Sequence, residues 1–219
     1  MKTEKKLKFF EPNLFFKNKV AIVGSSSSIL KKKNGTHIDT FDEIIRFNRG
    51  VTFKYENSVG RKTTLRIINN NVFFRIPESG NEFFLSKLEV SRLGIISPFK
   101  ISNYDKKKFS LNNHKYFFFN TLRAKILILV YFLGFPKIFF KLIYLLKRRK
   151  QFSVGFLTIL TCIVSGIKPT LFGFDLEEDM TKRSHYYVQN WPIGGRHDFG
   201  KEHEIIKDLL KKNLLFYKI

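Results

Sequence analysis

Three of the five histidines of the chain, His185, His197 and His203, fall in the stretch HYYVQNWPIGGRHDFGKEHE, with Gly194-Gly195 and the single tryptophan, Trp191. Imidazole is the side chain whose ordinary pKa, about 6.5, lets it exchange protons at cellular pH, and it is also a common metal ligand. Three chemistries therefore compete for this stretch. A zinc site needs ligand spacing, and the intervals of 12 and 6 residues between these histidines match no H-E-x-x-H helix. A two-metal nuclease gathers carboxylates from separate elements, whereas Glu177, Glu178 and Asp179 form one cluster. General acid/base catalysis by a neutral imidazole, taking a proton from a hydroxyl, fits the residues best.

Within that chemistry His197 is the better base. It follows Gly194-Gly195, a pair able to form a loop at a cleft, and it stands just before the last helical pattern. The nearby Glu202 is expected to anchor that loop or to fix the tautomer of the imidazole. His185, in SHYY just past the acidic cluster, is placed to donate a hydrogen bond to a phosphate leaving group. His203, one residue past Glu202, is a bystander.

These residues need a scaffold, and from Lys19 the pattern alternates strand, loop and helix. KVAIVG is a short β-branched run ending at Gly24 and followed by Ser25 to Ser28, the way a buried first strand opens onto a ligand-facing loop. EIIRFN (43 to 48), TLRIIN (64 to 69), LGIISPF (93 to 99), YFFFN (116 to 120) and PTLFGF (169 to 174) are further strand candidates. Stretches long enough for crossover helices separate several of them, so the expected fold is α/β, with a mostly parallel sheet flanked by helices. In such sheets ligands bind beyond the C-terminal strand ends, which here carry Gly24-Ser25, Asn48, Asn69 and Gly173. SVGFLTILTCIVSG (153 to 166) reads as an apolar helix capped by Ser153, whose first turn can offer N–H groups to a phosphate. An amphipathic helix over about 200 to 212 closes the chain, with Ile205, Ile206, Leu209 and Leu210 on one face.

The apolar segment 124 to 150 is interrupted by Pro136, Lys137 and Lys141, which disfavours a membrane span. Its second half starts at Pro136 and sets Lys137, Lys141 and Arg148 near one face. Two readings stay open for it: a helix lying in an anionic membrane surface, or a largely buried helix whose basic side chains reach water.

Forty Lys and Arg against 18 Asp and Glu leave a formal charge of +22, which suits nucleic acid, anionic lipid or an anionic small substrate. No zinc-finger, RNP or basic-zipper pattern accompanies the charge, so no nucleic acid is expected as a partner. One cysteine, Cys162, excludes an intramolecular disulfide and fits a reducing compartment. Residues 1–18 read as a basic extension without the apolar stretch of a signal peptide, and 19–219 as one catalytic domain.

Against this background VAIVGSSSSILKKKNGTHIDTFDEIIRFNRGVTFKYENSVGRKTT (20 to 64) resembles the large sialylmotif of the animal-type sialyltransferases, with its V-G, I-D-x-x-D, R-x-N and V-G-x-R-T-T signatures in order. FSVGFLTILTCIVSGIKPTLFGFD (152 to 175) is similar to the small motif, HYY (185 to 187) to the third, and His197 with Glu202 to the H-x4-E of the very small one. Together they follow the family's order from Val20 to Glu202.

The resemblance implies a single Rossmann-like, GT-A-like domain that moves sialic acid or a related acidic sugar from a CMP-sugar donor to a glycan or glycolipid acceptor. It implies inversion at the anomeric carbon, no metal and no cofactor. By position, His197 matches the general base and His185 the histidine near the donor phosphate, with Tyr186 beside it. Gly24, Ser25, Ser26, Asn48, Asn69, Ser153, Val154, Gly155, Gly173 and Glu202, with Tyr186, are expected at substrate-binding positions; Ser153 is expected to touch CMP through its hydroxyl. Three departures stand out. Ser25 replaces the motif asparagine, Val188 replaces the acidic follower of the third motif, and the cysteines of the animal enzymes' disulfide are missing, Gly166 standing at one of their positions. Loss of the bridge points to a cytoplasmic, bacterial-type enzyme, peripheral at the inner membrane face. Two alternatives remain: a relative that binds nucleotide sugar without turnover, with Ser25 as the clue, and a nucleic-acid binder resting only on charge.

Overall fold

Four consecutive apolar residues, Val20–Val23, are all buried, and their β-branched character suits a strand covered on both faces. This is β1 of a sheet in the computed structural model, which describes residues 19–69, 92–97, 115–176, 185–187 and 196–218. The extension 1–18, the acidic cluster 177–179, Val188, Trp191 and the pair 194–195 lie outside the described residues. The other strands are β2 (Glu43–Phe47), β3 (Leu65–Asn69), β4 (Arg92–Ser97), β5 (Lys115–Asn120), β6 (Thr170–Phe172) and β7 (Phe216–Lys218). They form one seven-stranded sheet in the order β5-β4-β3-β2-β1-β6-β7, and every neighbouring pair is parallel. The strand β7 carried no legible signal: three residues, FYK, partly exposed at the sheet edge.

The alternation of side chains along each strand divides the core in two. Val20, Ile22, Ile45, Phe47, Leu65 and Ile67 face one way, onto helices α3 (Thr121–Phe132), α4 (Pro136–Lys147), α5 (Val154–Val164) and α6 (Phe199–Lys211). Ala21, Val23, Ile44 and Phe172 face the other, onto Ile38 of the short helix α1 (Gly35–Ile38), Val59 of α2 (Glu56–Val59) and Tyr186. The first crossover is shorter than a full helix, a 3-10 turn (Ser27–Lys31) followed by α1.

Helix α5 buries eight consecutive residues, Phe156 to Ile163, as an apolar helix enclosed on all sides must. Cys162 is among them, and burial drives its thiol far above the ordinary range, so it stays neutral. Helix α4 buries Ile138, Leu142 and Leu145 and starts at Pro136, where a missing N–H costs nothing. Lys141 pairs with Asp208 at 2.7 Å and Glu204 at 3.4 Å, and Lys137, whose side chain stays exposed, with Asp208 at 3.2 Å, so these two lysines face α6.

Candidate active site

Strand order reverses between β1 and β6, the switch point where parallel sheets leave a crevice beyond their C-terminal ends. Two glycines build that crevice. Gly173 takes φ +67, a left-handed conformation that side chains disfavour, and a Cβ on Gly24 would run into the Gly173 carbonyl. The two loops are stitched by Gly24 N–H to the Phe172 carbonyl at 2.7 Å and Ser26 N–H to the Gly173 carbonyl at 3.3 Å. Gly155, in the first turn of α5, completes the group, since a Cβ there would meet the Phe174 ring at 3.1 Å and the Phe47 ring at 3.5 Å. Gly24, Gly155 and Gly173, distant in sequence, are thus neighbours. Ser28 donates to the buried carboxylate of Asp175, fixing the serine loop to the segment after β6.

The HYY segment clasps this loop. His185 and Ser26 form an antiparallel bridge, and Tyr186 N–H donates to the Ser25 carbonyl at 3.0 Å. Burial lowers the His185 pKa, while a hydrogen bond to the Ser25 backbone works the other way. Its ring stacks on Tyr187 with centroids 5.4 Å apart, and Ser25 also bonds the Tyr187 side chain. Tyr186 is buried, its hydroxyl donates to the Val51 carbonyl, and burial pushes that phenol up to about 12. Tyr186 is therefore a clasp between the loops after β1 and β2.

Asn48 follows β2 with φ 44, a left-handed conformation that asparagine tolerates. Its Oδ1 accepts the Asn69 N–H at 3.1 Å, so the two asparagines expected at the strand ends are in contact.

Helix α5 begins as the sequence implies, with Ser153 Oγ accepting the Phe156 N–H at 3.2 Å. The partner of Ser153 differs from expectation. Glu202, 2% exposed, accepts the Ser153 N–H at 2.7 Å and the Ser153 hydroxyl at 2.6 Å. A hydroxyl has one proton, and this one is given to Glu202. Glu202 docks α6 onto the start of α5.

The tautomer of His197 is set elsewhere. Its Nδ1 lies 2.7 Å from the Gln151 carbonyl, which can only accept, so Nδ1 carries the proton and Nε2 keeps its lone pair. Gln151 N–H donates in turn to the Arg196 carbonyl at 2.9 Å, closing a clamp between the two segments. His197 is thus tied to the segment that leads into α5, and His185 to the serine loop after β1.

Two residues escaped sequence reasoning. Arg46 and Arg66 lie side by side on neighbouring strands, 1% and 2% exposed, and among the described residues their hydrogen bonds run to backbone carbonyls and Thr63 rather than to a carboxylate. Burial lowers both guanidinium groups to about 10. Arg46 was legible only as the arginine of the R-x-N signature, and Arg66 only as an arginine inside an otherwise apolar strand.

Residues 16–214 match the family described as Glycosyltransferase family 29 (sialyltransferase). Over 52 residues the chain is 48% identical to Beta-galactoside alpha-2,6-sialyltransferase 2 of Xenopus tropicalis and 46% identical to that of Homo sapiens; each match takes in 24% of this chain and 10% of the relative. A mammalian sialyltransferase crystal structure superposes with TM-score 0.62 at 21% identity, over 96% of this chain and 72% of that one. The monofunctional alpha-2,3-sialyltransferase Cst-I of Campylobacter jejuni gives TM-score 0.58 at 18% identity, over 95% and 79%. CstII of the same organism, solved with the substrate analogue CMP-3FNeuAc, gives 0.54 at 14%, over 91% and 80%. The parallel α/β sheet flanked by helices is the fold of these proteins.

Proposed function

The chain belongs to glycosyltransferase family 29, the sialyltransferases, and on that premise we propose that it moves sialic acid or a related acidic sugar from a CMP-activated donor to a hydroxyl of a glycan acceptor. The observation that carries this reading is the hydrogen bond from His197 Nδ1–H to the Gln151 carbonyl, which leaves Nε2 as a base beside the first turn of α5. The structural neighbours solved with CMP and with a trisaccharide acceptor support the choice of donor and acceptor class.

In this reading the nucleotide lies over the C-terminal ends of β1, β2 and β6. The amides of Val154 and Gly155, at the positive end of α5, face the phosphate, and His185 meets it from the opposite wall. Departure of CMP breaks the bond between the anomeric carbon and the phosphate oxygen, and the acceptor oxygen forms the new bond from the other side. His197 Nε2 takes the acceptor proton. One base and one displacement give inversion, and fixed N–H donors with a basic surround supply the charge stabilisation that a metal ion would otherwise give. Transfer therefore persists in chelator, and the anomeric configuration of the product, read by NMR, is inverted.

Peripheral contact with anionic lipid is part of the same proposal, relocated from the α4 stripe to the outer sides of α3 and α4. These expose Leu122, Ile126, Val130, Phe140 and Tyr144, with the Arg148 guanidinium 5.5 Å from the Tyr144 ring centre. Among the described residues no helix is long and apolar enough to cross a membrane. A reducing, cytoplasmic setting suits the lone buried Cys162.

A ligand bound only by the folded state raises the melting temperature. CMP is expected to do so where UDP does not; an equal response to both nucleotides would remove the cytidine assignment.

A further inference from the structure

We infer that Arg66 is the positioning residue that presents Asn48 to the donor nucleotide, an inference that rests on the reading of Asn48 as a donor contact. Arg66 Nη1 donates to the Asn48 carbonyl at 3.0 Å and to the Gly50 carbonyl at 2.8 Å. It therefore grips the turn after β2 from beneath the sheet, at the residue whose φ of 44 directs the side chain. The Asn48 Oδ1 is taken by the Asn69 N–H, and the side-chain amide nitrogen is not used in these bonds. The far end of the turn is held by the Tyr186 hydroxyl on the Val51 carbonyl. Backbone φ and side-chain direction of Asn48 are thus determined together.

The cost of this arrangement is the reason to assign it a purpose. A buried cation without a carboxylate partner is expensive; among the described residues Arg66 has none, and its Nε is without a hydrogen bond there. Its neighbour Arg46 works against it electrostatically. An apolar side chain would fill the sheet face without that desolvation, but it could not hold two inward-pointing carbonyls. Arg46 answers a different loop, donating to the Val59 carbonyl at 2.5 Å and the Lys62 carbonyl at 3.1 Å, so the two guanidiniums are not interchangeable.

The test compares Arg66→Met, Asn48→Ala and the double variant by calorimetric titration with CMP, alongside amide hydrogen exchange. Losing the paired contacts weakens CMP binding by about tenfold or more in Arg66→Met, and the double variant binds no worse than Asn48→Ala. The Asn69 amide exchanges faster in Arg66→Met than in the parent. A folded Arg66→Met that binds CMP with parental affinity, or effects that add in the double variant, would overturn the assignment. Failure of the parent itself to bind CMP refutes the nucleotide reading instead, and an unchanged Asn69 amide then refutes the positioning of Asn48 as well. Arg66→Lys, a point donor in place of a planar fork, serves with the same expected and overturning results if the methionine variant does not fold.

Discussion

One hydrogen bond decides which nitrogen of His197 can act, and its acceptor is a backbone carbonyl that no side-chain pattern announces. The histidine was legible from its place before the last helix; its tautomer was not, because Gln151 lies 46 residues away. Glu202 was legible too, but its partner is Ser153. Removing that carboxylate leaves a buried N–H and a hydroxyl without an acceptor, so Glu202→Ala loses about 2–3 kcal/mol of stability in denaturant titration and Glu202→Gln loses less. His185 carries a pH signature. One ring nitrogen is given to the Ser25 carbonyl, so a neutral ring has no second N–H for phosphate. Because burial lowers its pKa, the free protein holds the ring neutral more readily than the unfolded chain does. Stability is undiminished above about pH 6.5 and falls as the pH drops below it. CMP binding then takes up a proton and tightens toward acid pH. Titration calorimetry in two buffers of different ionisation heat reads this directly, and equal heats would contradict it.

Helices and strands were legible to the extent that their signals are local. Short continuous apolar runs placed β1 to β6, and Ser153 and Pro136 marked helix starts. What faces what is not local. Lys137 and Lys141 fall on one side of α4 in any helical reading, but their acceptor, Asp208, is supplied by α6, 67 residues beyond Lys141. Burial works to raise the Asp208 carboxyl, yet hydrogen bonds from Lys141 and Lys137 outweigh it and hold the group below the ordinary carboxylate range. The stability this pairing contributes is present above about pH 4 and is lost as the pH falls through the lowered value. Asp208→Asn is expected to cost about 1–2 kcal/mol near neutrality and to flatten that acid limb. An acid limb in denaturation that is identical in the two proteins would remove the pairing from the account.

At the scale of the whole molecule, charge and strand order divide the explanation. The +22 balance attracts anions of any kind, and the fold narrows that only by placing loops and helix amides beyond the C-terminal ends of interior strands. The apolar and aromatic side chains exposed on α3 and α4 give the membrane proposal its test. Vesicles containing phosphatidylserine are expected to bind the protein in low salt and release it in high salt, and Phe140→Glu, at a position 68% exposed, weakens that binding several-fold. Equal binding to neutral phosphatidylcholine vesicles would contradict it. The central claim, that His197 is the base of a CMP-sugar transferase, is tested most directly by CMP release from CMP-sialic acid with β-galactoside-terminated acceptors. The account predicts acceptor-dependent release by the parent and a loss of about 10²–10⁴-fold in His197→Ala with CMP affinity retained. Acceptor-dependent release at equal rates by the two proteins would contradict it.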